Sequence, residues 1–348
     1  MWKSKNCLSV LILTLSLILL LDQQGLGQTS GKSSIILPGT QLEKIFDGGC
    51  VLTEGVAVGH DNIVYFSDIT FTSQCRDDKG VMEAGHIWQY NPKSGQTTIF
   101  RSPSGMSNGI KFDAQGDMLV AEGSDFGGRR IIRTNMRTGR SYIVAGLFEG
   151  HPFNAPNDIT IDAKGRIYFS DPRYLGYEPI SQPVMGVYRI DTDGSIHRIL
   201  TDVGKPNGIA VSPDQKTLYV VSNDNGSWGS FRLANGEKVH KGRMALLAYD
   251  LFPDGTASFR EIMVDYYPQD GPDGLVLDVD GNLYVAVRNV TRPGIVVYSP
   301  KGAELAYIPT EELPTNVGFG RGQDINLLYI TAGKSLYRIR VNKKGYHL

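Results

Sequence analysis

The chain has 348 residues, with 35 Lys plus Arg against 36 Asp plus Glu and a formal net charge of −1. No block of like charge stands out, so a nucleic-acid role has no electrostatic support. Setting a leader aside leaves about 320 residues, which a single repeat-built domain can use.

The first residues read as that leader. Lys3 and Lys5 give a positive start, Cys7 to Leu21 is an apolar or small-residue run, and Gly25-Leu26-Gly27 offers a cleavage site. The pattern predicts a secretory signal peptide over 1–27, with the mature chain beginning near Gln28. The apolar core of about 15 residues is short of the roughly 20 that span a bilayer. The expected protein is therefore exported, periplasmic or secreted, and free of the membrane after cleavage. Cys7 lies at the start of the run rather than after it, which argues against a lipid anchor.

From residue 52 the chain repeats one phrase with changes. "LTEGVAVGHDNIVYFSD" (52–68) is followed by "AGHIWQYNPKSGQTTIF", and "MSNGIKFDAQGDMLVAE" (106–122) opens the next unit. Between them and the third unit lies the most basic stretch, "GGRRIIRTNMRTGR" (127–140), whose alternation reads as an exposed outer strand pair. The third unit, "NAPNDITIDAKGRIYFSDP" (154–172), continues into "MGVYRIDTDGSIHRIL"; the fourth, "KPNGIAVSPDQKTLYVVSND" (205–224), into "ALLAYDLFPDGTASFREI". "GPDGLVLDVDGNLYVAV" (271–287) with "PGIVVYSPKGAELAYI", then "PTNVGFGRGQDINLLYITA" (314–332), complete the set. Each unit begins with a polar residue, then an alternating apolar run, a Gly-containing or otherwise tight turn and a second apolar run, which is the signature of a β-hairpin. With the following segments, each repeat is about four strands long. No stretch shows a clean helical period. The predicted fold is all-β: a six-bladed β-propeller of four-stranded antiparallel blades around a central channel, filling 28–348.

The leading polar positions are Glu54, Asn108, Asn157, Asn207, Asp273 and Asn316. They fall roughly 45 to 65 residues apart, as propeller blades do. The first strand of each blade lines the channel, so these six side chains are expected to form a ring at one rim. All are oxygen donors and two are carboxylates, the preference of a hard dication: Ca²⁺ first, with Mg²⁺ or Mn²⁺ as alternatives and Zn²⁺ the less natural choice. Pro-Asn-Gly and Pro-Asp-Gly are also ordinary turn sequences. Against a turn, each unit has its own later turn, such as Asp113-Ala114-Gln115-Gly116, and the leading residues share one register.

The ordered motifs "TEGVAV", "PNDITID", "PNGIAVSPD" and "PDGLVLD" resemble the SMP-30/gluconolactonase/luciferin-regenerating-like family, and "YFSDPRY" is similar to its gluconolactonase branch. The resemblance implies a six-bladed propeller with one catalytic divalent metal, often Ca²⁺, held by residues matching Glu54, Asn157, Asn207 and Asp273. It implies metal-assisted opening of a small-molecule lactone, with Asp273 as the base acting on water. Asn108 and Asn316 lie on the ring without matching family ligands, and remain pocket candidates. The sequence departs at Val56, where the family usually has proline, and at Ala155, where some sugar-lactonase members carry a substrate-contacting Arg. A related phosphotriesterase or arylesterase activity, and an interaction platform with a structural ion, are the competing readings. No Gly-x-Ser-x-Gly elbow is present.

Weaker pocket candidates are Asp171, Arg173 and Tyr174 in one loop; His151 and Asn223 could likewise reach the rim, with a surface-loop role favoured for His151, and Trp228 and Phe153 could shape an apolar wall or pack between blades. Cys50 and Cys75, in one blade of an exported chain, form a candidate disulfide that would brace the entry to Glu54; two free thiols are the alternative.

Overall fold

The alternating runs form strands, and the strands assemble as six antiparallel four-stranded sheets. The computed structural model describes residues 35–69, 74–226 and 240–348. The leader expected over 1–27 and Trp228 lie outside the described residues. Blade 1 runs Leu52–Val58, Val64–Ile69, His86–Asn91 and Gln96–Arg101 from channel to periphery; blade 2 runs Ser107–Phe112, Met118–Glu122, Arg130–Thr134 and Ser141–Ala145. The basic stretch 127–140 is not the exposed strand pair expected: it holds only the third strand of blade 2 and the turn after it, stops one residue before the outermost strand, and buries Ile131, Ile132 and Thr134. Blades 3, 4 and 5 begin with Ile159–Ile161, Pro206–Val211 and Pro272–Leu277. The innermost strands touch one another in sequence and the last, Pro314–Phe319, touches the first, so the ring closes as a six-bladed β-propeller.

The sixth blade contains a feature the repeat did not show. The C-terminal part of the chain supplies three of its strands, and Glu43–Asp47 pairs with Ser335–Arg340 as the outermost one. The Arg338 guanidinium reaches the Glu43 carboxylate at 2.7 Å across this seam.

Packing between blades makes the core. Leu119, Ala121 and Ile131 of blade 2 cluster with Phe169 and Tyr188 of blade 3, whose rings stack with centroids 5.4 Å apart. The predicted Gly turns form as read: in Asp113–Gly116 the Asp113 carboxylate accepts the N–H of Gln115 and of Asp117, and Gly116 takes φ +83°. Asp162 and Asp278 hold their turns in the same way. This shared turn chemistry fixes the register of the inner hairpins in blades 2, 3 and 5, and so the height of their leading residues.

Candidate metal and active site

Glu54, Asn108, Asn157, Asn207 and Asp273 all line one cavity of about 240 Å³ at the mouth of the channel. Their local backbone explains how. In blades 1, 2, 4 and 5 the pairing of the first two strands slips at this point, between Glu54 and Ala57, Ser107 and Ile110, Pro206 and Ile209, and Pro272 and Leu275. Such bulges re-aim a side chain. The glycine that follows is required by close approach rather than by a turn. A Cβ on Gly55 would lie 1.8 Å from the Asn108 carbonyl oxygen, and one on Gly208 would lie 2.4 Å from that of Asp273. Asn-Gly and Asp-Gly here mark where one blade's backbone meets the next.

Of the remaining sequence candidates, Tyr174 and Asn223 also line the cavity. The Tyr174 hydroxyl donates to the Asn223 carbonyl at 3.1 Å and accepts from Asn207 Nδ2 at 3.1 Å, so the oxygen of the Asn207 amide is the end left for a ligand. Tyr174 is itself packed beneath the Lys205 ammonium, 4.8 Å from its ring centroid. Ala155 lines the cavity as well, so this position faces the pocket, as the resemblance implied.

Others lie elsewhere. Asn316 is on the ring but outside the cavity lining; its Oδ1 accepts the Val317 N–H at 2.8 Å and its amide packs against Gly274. Asp171 is buried, and its two oxygens accept the N–H groups of Asn154 and Ala155 at 2.8 and 2.7 Å. It positions the backbone leading to Asn157 and does not reach the pocket. Arg173 is buried against the Gly176 and Glu178 carbonyls, Phe153 packs in the core with Phe169 and Tyr188, and His151 is exposed on a short hairpin. Arg288 was not foreseen: it follows the second strand of blade 5 and lines the cavity with Nη1 3.5 Å from Asp273 Oδ2.

Two buried carboxylates in one cavity are costly to ionise together. Burial first, and then the Asp273 charge, pushes Glu54 well above the usual carboxylate range. Burial also raises Asp273, while Arg288 and the Asn207 amide pull it back. Asn108 and Asn223 each keep a buried Oδ1 without a hydrogen-bond partner in the same cavity. Repelling carboxylates beside unsatisfied amide oxygens are a donor set that suits a hard dication. Among the described residues no group of three His, Cys, Asp or Glu is arranged to hold a metal ion, and the ring offers two carboxylates with amides.

Cys50 and Cys75 are bonded, with Cα atoms 5.7 Å apart. The Cys50 N–H is held at 2.8 Å by Asp68, so the segment entering Glu54 is tied at two points.

Comparison with known proteins agrees with the fold. The chain belongs to the SMP-30/Gluconolactonase/LRE-like family, whose profile matches residues 52–334. It is 31 % identical over 258 residues to a gluconolactonase of Zymomonas mobilis, covering 71 % of this chain and 65 % of that protein. The chain spans about half to two thirds of the length of the first curated relatives it matches. The solved structure of a gluconolactonase from Xanthomonas campestris superimposes with a TM-score of 0.70 at 25 % identity, covering 88 % of this chain and 91 % of that one. Regucalcin of Agrobacterium tumefaciens, described as a calcium-binding protein, shares the fold with a TM-score of 0.66 at 17 % identity, covering 88 % and 96 %.

Proposed function

We propose that the protein hydrolyses lactones with the help of one divalent metal, Ca²⁺ in first preference, at the ring. The observation that carries this reading is the convergence of Glu54, Asp273, Asn157 and Asn207 on a single cavity, beside the unpartnered Oδ1 atoms of Asn108 and Asn223. Relatives named gluconolactonase and lactonohydrolase support it. Glu54, Asn157, Asn207 and Asp273 would hold the ion. A bound dication supplies Lewis acidity toward the lactone carbonyl and charge against the developing oxyanion. The chain's own groups do the rest. Asp273 accepts a proton from water as the water oxygen bonds to the acyl carbon. The ring C–O bond then breaks, and the proton passes to the departing alkoxide to give a hydroxy acid. Arg288 favours the ionised form of Asp273 that this step needs. Tyr174 fixes the Asn207 amide. The same proposal places the protein outside the cytoplasm; the leader-like run at 7–21 and the Cys50–Cys75 bond support that location.

A pH-indicator assay over sugar and aliphatic lactones, before and after chelation, tests the reading. Acid release that stops on chelation and returns with Ca²⁺ is expected. Absence of acid release from every lactone with metal present would overturn it.

A further inference from the structure

The cavity has two unlike sides. In blades 1 to 3 the residues two positions before the ring residue approach the pocket beside it. These are Leu52, Met106 and Ala155, and all three line the cavity. Ile69, the cross-strand partner of Leu52, extends the same side, as do Pro156 and Leu175. On the other side stand Asn223, Asn225 and Arg288 from blades 4 and 5.

Apolar side chains also stand at the surface of this rim, two of the three most exposed on the blade 1–3 side. Among the described residues, the three most exposed large hydrophobic side chains are Phe126 at 83 %, Tyr177 at 78 % and Val290 at 73 %. Each lies in the loop after the second strand of its blade, in blades 2, 3 and 5. A second strand runs antiparallel to the first, so all three loops stand at the ring end of the channel. Phe126 adjoins the cavity-lining Asp125, and Tyr177 lies two residues beyond the cavity-lining Leu175.

Phe126 is held in place at some cost. Asp125 and Phe126 take φ of +66° and +67°, a left-handed conformation that a bulky residue rarely adopts. The Phe126 N–H donates to Glu178 at 2.7 Å, Ser124 Oγ donates to the Leu175 carbonyl at 2.7 Å, and Arg129 Nε donates to the Phe153 carbonyl at 2.7 Å. The two loops are thereby locked together with both aromatic rings outward.

We infer that the substrate is a lactone bearing an apolar substituent. Its carbonyl lies at the polar ring and its substituent lies along the blade 1–3 side toward Phe126 and Tyr177. A polyhydroxylated chain in that position would lose water from its hydroxyls against Leu52, Ile69, Met106, Pro156 and Leu175, with Ser124 and Asp125 as the polar partners beside Tyr174 and the ring, which disfavours it. The inference rests on the lactone-hydrolase reading and adds the substrate class.

The test is a series of δ-lactones with 5-alkyl chains from methyl to heptyl, compared with glucono-δ-lactone on the Ca²⁺-loaded protein. kcat/KM should rise about three- to fourfold per added methylene over the first few carbons, chiefly through KM. Phe126→Asn, which tolerates the left-handed backbone, and Leu175→Asn should each cut the heptyl-to-methyl ratio of kcat/KM by roughly tenfold. The ratio is taken within one protein sample, so partial loss of folded material cancels. Val279→Asn, on the turn at the opposite end of blade 5, should leave the ratio as it is. A flat chain-length series, or a preference for glucono-δ-lactone, would overturn the substrate class and leave lactone hydrolysis standing. Failure to turn over any lactone would instead overturn the reading beneath it.

Discussion

Arg288 places Nη1 3.5 Å from Asp273 Oδ2 and donates the same nitrogen to the Pro314 carbonyl at 3.3 Å. Blades 5 and 6 thus meet at the carboxylate proposed to take the proton. Arg288 lowers the pKa of both Asp273 and Glu54. Arg288→Gln should therefore move the acidic limb of the kcat/KM profile to higher pH and cut the rate at pH 6 by roughly tenfold, with Arg288→Lys restoring part of it. An unchanged profile in Arg288→Gln would remove Arg288 from the electrostatics of the site.

Prolonged chelation should abolish hydrolysis, and Ca²⁺ or another hard dication should restore it. Full turnover in a rigorously metal-free sample would contradict the proposed role of the ring.

Asp273→Asn separates ligand from base. An amide at this position resembles those at Asn157 and Asn207, so metal binding should survive in part, while the proton acceptor is gone. We expect kcat to fall roughly 10²–10⁴-fold with no rescue by saturating metal. Glu54→Gln should lose metal affinity mainly, and excess Ca²⁺ should recover much of its rate. Equal rescue of the two variants would make Asp273 a ligand only.

The raised carboxylates give a stability signature. Glu54 and Asp273 sit above their unfolded values of about 4 in the metal-free protein, so the folded state holds protons more tightly there. Their contribution favours folding in acid and is lost as pH climbs from about 4 through the raised folded values. A bound dication removes that penalty. The rise in Tm on adding Ca²⁺ should therefore be larger at pH 7 than at pH 5. An increment that is the same at both, measured by thermal unfolding, would mean the ion binds away from these carboxylates.

Oxidised protein should show no free thiol at Cys50 or Cys75 when denatured. The two are 25 residues apart, and opening the loop by Cys50→Ala/Cys75→Ala should cost about 3 kcal/mol in urea titration. Stability equal to that of the parent would show that the bond does not constrain the chain.

The propeller and five of the six ring positions were legible because one register recurs, and period-two alternation carries that register straight into space. Asn316 breaks the rule for a local reason. In blades 2, 4 and 5 two residues separate the flanking paired positions of the inner strand, but in blade 6 only Thr315 intervenes, and Asn316 pairs directly with Thr331. A valine follows it where the neighbours have glycine. Asp171 misled because "SDP" places a carboxylate at a strand end, where it caps backbone; Asp68 does the same for Cys50 in blade 1. Arg288 carried no motif. Its only signal is a charge at the end of an apolar run, "LYVAVR", which one sequence cannot separate from an exposed loop cation.

The seam between Glu43–Asp47 and Ser335–Arg340 joins parts of the chain almost as far apart as its length allows: Arg338 and Glu43 are 295 residues apart. Beside it, the Thr315 hydroxyl donates to the Thr53 carbonyl at 2.7 Å, next to Glu54. Glu54 is among the earliest of the ring residues to be synthesised, yet its backbone is held by the last blade to be made. During synthesis the growing chain has no completed ring, and its inner strands wait with open edges until the final strands arrive. Assembly of the site is therefore a late, long-range event, slow by the measure of contact order. The ring residues cannot act together until the last blade closes on the first.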